Sequence, residues 1–260
     1  MIDLTSDKIR TDVIRRKFYS EDDSFFKKLN ITKNNYLSPL GINIYLVELS
    51  DGYYYMKKAD ERACCNEIVG RYLCNKIGLE TTQLDLLLDG GKLKIATPNY
   101  RKEELKYQRQ KDDIELAFHH QYSVSKLKIL PKAYQKEQFK LITIDMMMEQ
   151  TDRCSDNMEE ELKNNSRHLA PIIDFVESFD YYYYCYYNPY VSIPKDIENI
   201  DRFLNDFPEA YKYFLEIFDI DSNELINYIE TNYPIKVDNE TKERYESVTS
   251  KNKRLLKTIR

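Results

Sequence analysis

Two strand-type runs double back at Asp51-Gly52 and again at Asp89-Gly90-Gly91, with one helical pattern between them, and this β-β-α-β-β order constrains the chain more than any other feature. The first run, Ile42 to Leu49, is β-branched and aromatic and stops at Ser50-Asp51-Gly52, where Asp-Gly between such runs signals a hairpin. The return run Tyr53-Tyr54-Tyr55-Met56-Lys57 yields to helical spacing from Glu61 to Ile77 through Cys65, Ile68, Val69, Tyr72 and Leu73, and Gly78 suits the stop. Gln83 to Leu88 and Lys92 to Ala96 make the second hairpin before Thr97-Pro98 breaks the pattern.

Ahead of these strands, Val13, Ile14, Phe18, Phe25, Phe26 and Leu29 have helix-like spacing and predict a short helical lead-in over 1–35. After Tyr100 a charged stretch, YRKEELKYQRQKDD, gives way to helical patterns with little strand content. Glu137 to Glu149 has the apolar spacing of a buried helix, through Phe139, Ile142, Ile144, Met146 and Met147. The expected architecture is α+β and bilobal: a small antiparallel-sheet lobe with one helix over 36–98, and a mainly helical lobe over 99–260.

A chain of 260 residues buries about three-quarters of its unfolded surface and needs no disulfide or metal staple. No apolar run approaches the roughly 18 residues of a membrane span, and the start has no secretion-signal h-region, so a cytoplasmic, membrane-free protein is expected. The formal net charge of -5 opposes approach to a polyanion, so nucleic acid is not an expected direct partner. Five cysteines without paired CxxC spacing read as reduced thiols, and three histidines outside any HExxH arrangement take no role. There is no GxSxG and no GxxxxGK[ST]. The tract Tyr181 to Tyr187, broken only by Cys185, reads as aromatic packing and loop cover.

Three ionisable features stand in a telling order: Lys57 closing a hairpin strand, Glu67 one helical segment later, and the DxxxxN of Asp152 to Asn157 followed by Asp174. Each is commonplace alone, and the order is what carries the argument. Mg²⁺ takes one or two carboxylates and completes its shell with phosphate and water oxygens. In phosphoryl transfer the protein chiefly positions reactants and offsets charge, so a lysine on the phosphates and an aspartate on the incoming hydroxyl complete a minimum set. Asp174, following Ala-Pro-Ile-Ile, is drawn inward and needs a partner there. Lys58 beside Lys57 leaves the lysine register open by one residue, with the two on opposite faces.

On these residues the chain resembles the HipA-like serine/threonine kinases, in particular the compact members without an extra N-terminal subdomain. The resemblance covers motifs between about residues 36 and 180: SPLG, YYYMK, NEIVGRYLCNKIGL, TDRCSDN and LAPIID. It implies a two-lobed kinase that holds ATP between its lobes and transfers the γ-phosphate to a Ser or Thr hydroxyl of a protein substrate. Lys57 would contact the phosphates and pair with Glu67, Asp152 would be the catalytic base, and Asn157 with Asp174 would hold Mg²⁺. Ser38 and Gly41 would belong to the phosphate loop, and Ile95, Ala96 and Thr97 would border adenine. The resemblance further implies a toxin-like role with an antitoxin-like regulatory partner, and self-regulation by autophosphorylation at Ser38. Cys154 and Asp156 depart from the catalytic-loop pattern. Asp156, with the reduced glycine loop after Gly41 (Ile-Asn-Ile-Tyr), keeps a nucleotide-binding pseudokinase or interaction module open, and a small-molecule or lipid phosphotransferase would share the same site and differ only in its acceptor.

Overall fold

The computed structural model describes residues 2–18, 44–98, 107–109, 124–150, 153, 159–172, 174–179 and 197–259. Ser38, Gly41, Asp152, Cys154, Asp156, Asn157, His119, His120 and the tract 181–187 lie outside the described residues.

The first lobe is built on a six-stranded sheet: β1 (Ile9–Arg10), β2 (Arg15–Phe18), β3 (Ile44–Leu49), β4 (Gly52–Lys58), β5 (Asp85–Asp89) and β6 (Lys92–Pro98), in the order β1-β5-β6-β4-β3-β2. β1 runs parallel to β5, and every other pairing is antiparallel. Both expected hairpins are present. Gly90 and Gly91 take φ of 57° and 75° at the β5–β6 turn, a conformation open to glycine without a Cβ penalty.

Between the hairpins lies α1 (Glu61–Lys76). Asp60 caps its start by accepting from the Ala63 amide at 2.8 Å. At its end Gly78 adopts φ 64° while the Leu79 amide returns to the Cys74 carbonyl at 2.8 Å, which stops the helix where the sequence suggests. The helix is buried on almost every side, from Ala63 to Arg71 without interruption. Its polar residues Asn66, Glu67 and Arg71 therefore have no route to water and must find partners inside.

Strand alternation sorts the sheet's two faces. Tyr54, Met56, Leu87 and Ala96 join Val47 and Leu49 in a small outer cluster, whereas Leu86 and Ile95 face α1 and the main core. Lys57 and Tyr55 thus point to the α1 side.

Over its described residues, 2–18, the lead-in differs from the helix that its spacing predicts, while 19–35, with Phe25, Phe26 and Leu29, lie outside the described residues. Its described residues include two strands, with Arg15 to Phe18 pairing along β3 from Glu48 to Tyr45, so edge hydrogen bonds of the sheet override a weak periodicity. Arg10 adds a second tie: its guanidinium donates to Asp51 at 2.9 Å, Asp85 at 3.0 Å and Asp12, joining the lead-in to both hairpins.

The second lobe contains α2 (Val124–Ile129), α3 (Lys132–Met148), α4 (Ile197–Asp206), a 3₁₀ turn at Pro208–Ala210, α5 (Tyr211–Phe218), α6 (Ser222–Asn232) and α7 (Asn239–Thr258). α3 is the buried helix anticipated from 137 onward, starting five residues earlier, and Phe139, Ile142, Ile144, Met146 and Met147 are all inaccessible. Phe203, Phe207, Phe214 and Phe218 pack in a chain of tilted rings that begins at Phe139.

A three-stranded sheet that the sequence does not suggest lies in this lobe: β7 (Tyr107–Arg109), β8 (Glu159–Lys163) and β9 (Ser166–Leu169). Its hairpin turns on Asn164 and Asn165 at φ 52° and 62°, the left-handed conformation that asparagine tolerates best after glycine. Charge along β8 hides the period-2 signal. α7 returns to the centre, where the Asn252 amide donates to the Met147 carbonyl at 3.0 Å, Lys251 pairs with Glu149 at 2.8 Å, and the Tyr245 hydroxyl donates to Asn66 at 3.1 Å.

Candidate active site

Lys57 lies on β4 opposite Ile95 of β6, and its ammonium pairs with the Asp174 carboxylate, 117 residues further along the chain. The lysine side chain is 15% exposed and the aspartate 22%. Lys58 is exposed on the other face, so of the two neighbouring lysines it is Lys57 that meets Asp174. Burial pushes the Asp174 carboxyl up, but the charge and hydrogen bond of Lys57, with Arg153 behind, outweigh it and hold the group below the ordinary carboxylate range.

Asp174 has φ 67°, a left-handed conformation that costs a non-glycine residue energy and persists only where the surroundings impose it. The surroundings do so from four sides. The Glu67 carboxylate accepts from the Asp174 amide at 3.3 Å and from the Phe175 amide at 2.6 Å. The Gln150 side chain donates to the Asp174 carbonyl at 2.6 Å and accepts from the Ser178 hydroxyl at 2.8 Å. Asn66 donates to the carbonyls of Val176 and Ser178 at 2.9 and 2.8 Å. Ile172, two residues upstream, is stitched to the segment after α1: its amide donates to the Glu80 carbonyl at 2.9 Å and its carbonyl accepts from the Thr81 hydroxyl at 2.8 Å.

One expectation needs correction here. Lys57 does not pair with Glu67, because the glutamate is committed elsewhere: it is 1% exposed and shared between the two main-chain amides and Arg71, whose Nη2 lies 2.8 Å away one helical turn on. A buried carboxylate takes the cation that its own helix supplies. Lys57 is left to meet Asp174.

Phe175 fixes the segment from the other side. It packs on Gly70 of α1 so closely that a Cβ at that glycine would fall 2.1 Å from the ring. The Arg153 guanidinium covers the ring at 4.8 Å from its centroid and donates to both carboxylate oxygens of Asp145, through Nε at 3.0 Å and Nη2 at 3.0 Å. Burial pushes the Asp145 carboxyl up, and the guanidinium against it pulls back. Both side chains are at most 1% exposed. Removing one partner strands a buried charge, so Arg153→Met is expected to cost about 3–5 kcal/mol, whereas a double replacement of Asp145 and Arg153 by apolar residues recovers most of it. Denaturant unfolding of the two variants checks this.

Asp152 and Asn157 lie outside the described residues, but Gln150 and Arg153, which flank Asp152 in sequence, both touch the Asp174–Phe175 segment. The three residues expected at adenine divide. Ile95 and Thr97 share the face of Lys57, and Thr97 accepts from Arg71 at 3.2 Å. The Ala96 side chain instead joins the outer cluster with Met56 and Leu87, so only its main chain faces the same space, as strand alternation requires. His168, assigned no role, meets Glu137 at 2.8 Å.

The residues that sequence reasoning missed are Asn66, Gly70, Arg71 and Gln150. A signal existed for three of them: polar residues and a glycine inside an otherwise apolar helix have to be accounted for.

Chemically, Asp174 offers a hard oxygen donor already oriented by its backbone and faced by a cation, which fits a magnesium ion that draws its remaining ligands from phosphate and water. Among the described residues no group of three or more His, Cys, Asp or Glu side chains forms a cage for a metal by itself.

A sheet lobe with one buried helix among its described residues, a mainly helical lobe, and a strand lysine meeting an aspartate from the second lobe define a bilobal kinase fold. Within that class the fold is HipA-like. The chain is similar to the Helicobacter pylori proinflammatory kinase CtkA, with a TM-score of 0.55 at 15% identity over 84% of this chain and 93% of that one. It is also similar to HipA of Shewanella oneidensis MR-1, solved in a toxin–antitoxin complex with HipB and operator DNA, with a TM-score of 0.56 at 9% identity over 96% of this chain and 73% of that one. No protein-family model and no curated protein sequence matches the chain.

Proposed function

We propose that this protein is an ATP- and Mg²⁺-dependent protein kinase that transfers the γ-phosphate to a serine or threonine hydroxyl, with its lobes dividing near residue 98. The observation that carries this reading is the Lys57–Asp174 pair, which brings a phosphate-type cation and a magnesium-type carboxylate together from the two lobes. Lys57 offsets charge on the phosphates, Asp174 with Asn157 holds the ion, and Asp152 orients and deprotonates the acceptor hydroxyl. Bound Mg²⁺ supplies charge neutralisation at the phosphates. Ser38 and Gly41 border the phosphates, and Ile95 and Thr97 the nucleobase. Glu67 positions the metal carboxylate through the backbone.

An antitoxin-like protein partner, autophosphorylation at Ser38 and a cytoplasmic setting belong to the same proposal. No helix among the described residues is long and apolar enough to cross a membrane.

The competing reading is a nucleotide-binding pseudokinase, favoured by Cys154 and Asp156 in the catalytic loop. Another carboxylate close to the γ-phosphate is repulsive by about 4 kcal/mol at intermediate dielectric unless a cation offsets it. Incubation with γ-labelled ATP separates the two. The kinase reading expects label on protein serine or threonine, lost in Asp152→Asn with nucleotide affinity little changed. Thermal stabilisation by ATP and Mg²⁺ without any label transfer selects the pseudokinase. Label on a small molecule or lipid alone moves the acceptor class.

A further inference from the structure

Arg71 is a buried cation that the proposed chemistry does not use. It is 5% exposed on α1. Nη2 donates to Glu67 at 2.8 Å and to the Thr97 hydroxyl at 3.2 Å, while Nη1 donates to the Thr82 hydroxyl at 2.6 Å and also to the Thr82 carbonyl. Its Nε is buried with no hydrogen-bond partner.

As a stabilising device this is poor. An unsatisfied buried donor costs stability, and apolar side chains in place of both partners usually do as well as a buried ion pair. What the guanidinium does supply is a rigid planar fork. The fork reaches three separate pieces of chain: the Glu67 carboxylate on α1, Thr82 ahead of β5, and Thr97 at the end of β6. Glu67 in turn holds the amides of Asp174 and Phe175.

We propose that Arg71 is the positioning residue of this site. It sets the Glu67 carboxylate against the main chain of Asp174, and thereby fixes where the metal-binding carboxylate stands relative to the strand wall that carries Thr97. The inference rests on the kinase reading for what Asp174 holds, while the clamp on Asp174 can be tested without it.

The test compares the full-length protein with Arg71→Met, Arg71→Lys and Thr82→Val. Hydrogen exchange is followed in the peptide over 172–178 and in the one over 61–70, and the Mg²⁺ concentration for half-maximal phosphoryl transfer is measured at saturating ATP. In Arg71→Met, exchange at 172–178 should accelerate about tenfold with 61–70 unchanged, because one clamp opens locally and the helix does not. The Mg²⁺ requirement should rise about tenfold, the size typical of losing a group that orients a metal ligand. Arg71→Lys should fold at least as well as Arg71→Met yet keep the raised Mg²⁺ requirement, since an ammonium lacks the fork.

Wild-type exchange at 172–178 in Arg71→Met would overturn the proposal. So would equal acceleration of both peptides, which is what mere packing predicts, and so would full rescue by lysine. Should Arg71→Met fail to fold, Thr82→Val takes its place: it removes one of the fork's contacts, and exchange at 172–178 must still rise, about threefold, or the proposal falls. A wild-type protein with no phosphoryl transfer removes the kinase reading, and the exchange measurements judge the clamp regardless.

Discussion

On the kinase reading, Lys57→Met is expected to abolish detectable phosphoryl transfer, a fall of about a hundred- to a thousandfold, in line with removing a preorganised charge from a transferring phosphoryl group. The same substitution also destabilises the protein without nucleotide, because Asp174 then keeps its charge in a site only 22% exposed with its nearest cation gone. Losing one partner of a fully buried pair costs about 3–5 kcal/mol, and partial exposure here brings the figure below that range. Asp174→Asn is expected to abolish transfer equally but to destabilise less, since an amide needs no counter-charge. The double variant Lys57→Met, Asp174→Asn should regain much of the stability lost in Lys57→Met and none of the activity. Denaturant unfolding and label transfer on the four proteins give the cycle. Full activity in either single variant would remove the pair from the chemistry.

The second large effect is at Gly70. Its replacement by alanine places a methyl 2.1, 2.4 and 2.6 Å from three ring carbons of Phe175. Alanine in a helix interior gains about 1 kcal/mol over glycine, whereas forcing extra volume into a packed core costs about 1–3 kcal/mol or more. The ring is fully buried and lies under Arg153, so it has nowhere cheap to go, and the clash wins. Because Phe175 follows Asp174 directly, a displaced ring also moves the carboxylate. Gly70→Ala should therefore lose stability and nearly all transfer activity, while adding Phe175→Leu restores much of the stability without restoring the activity. Wild-type stability and activity in Gly70→Ala would show that the contact is dispensable.

The outline of the fold was legible in the chain because the two hairpins and α1 are specified locally. Asp51-Gly52 and Gly90-Gly91 set turns, Asp60 and Gly78 bound the helix, and alternation on β4 separates Lys57 from Met56. The meeting of Lys57 with Asp174 was foreseeable only from the order of ionisable residues combined with a family resemblance. The detail of that meeting was not. Glu67 finds its partners in main-chain amides 107 and 108 residues away, and backbone groups carry no residue-type signal. The strands at 9–10 and 15–18 escaped for a related reason, since edge pairing is decided by the neighbouring strand more than by the segment's own pattern. The charged strands β8 and β9 escaped likewise, although Asn164-Asn165 was a turn signal in plain view.

α7 has a bearing on how the molecule comes into being. It follows Lys57, Glu67 and Asp174 in chain order, yet it buttresses Asn66, Met147 and Glu149 at the heart of the site. A ribosome making the chain releases Lys57, Glu67 and Asp174 before the helix that braces their surroundings. A nascent polypeptide halted short of Asn239 should therefore hold Asn66, Met147 and Glu149 loosely, which faster hydrogen exchange over 61–70 in a chain truncated there would show.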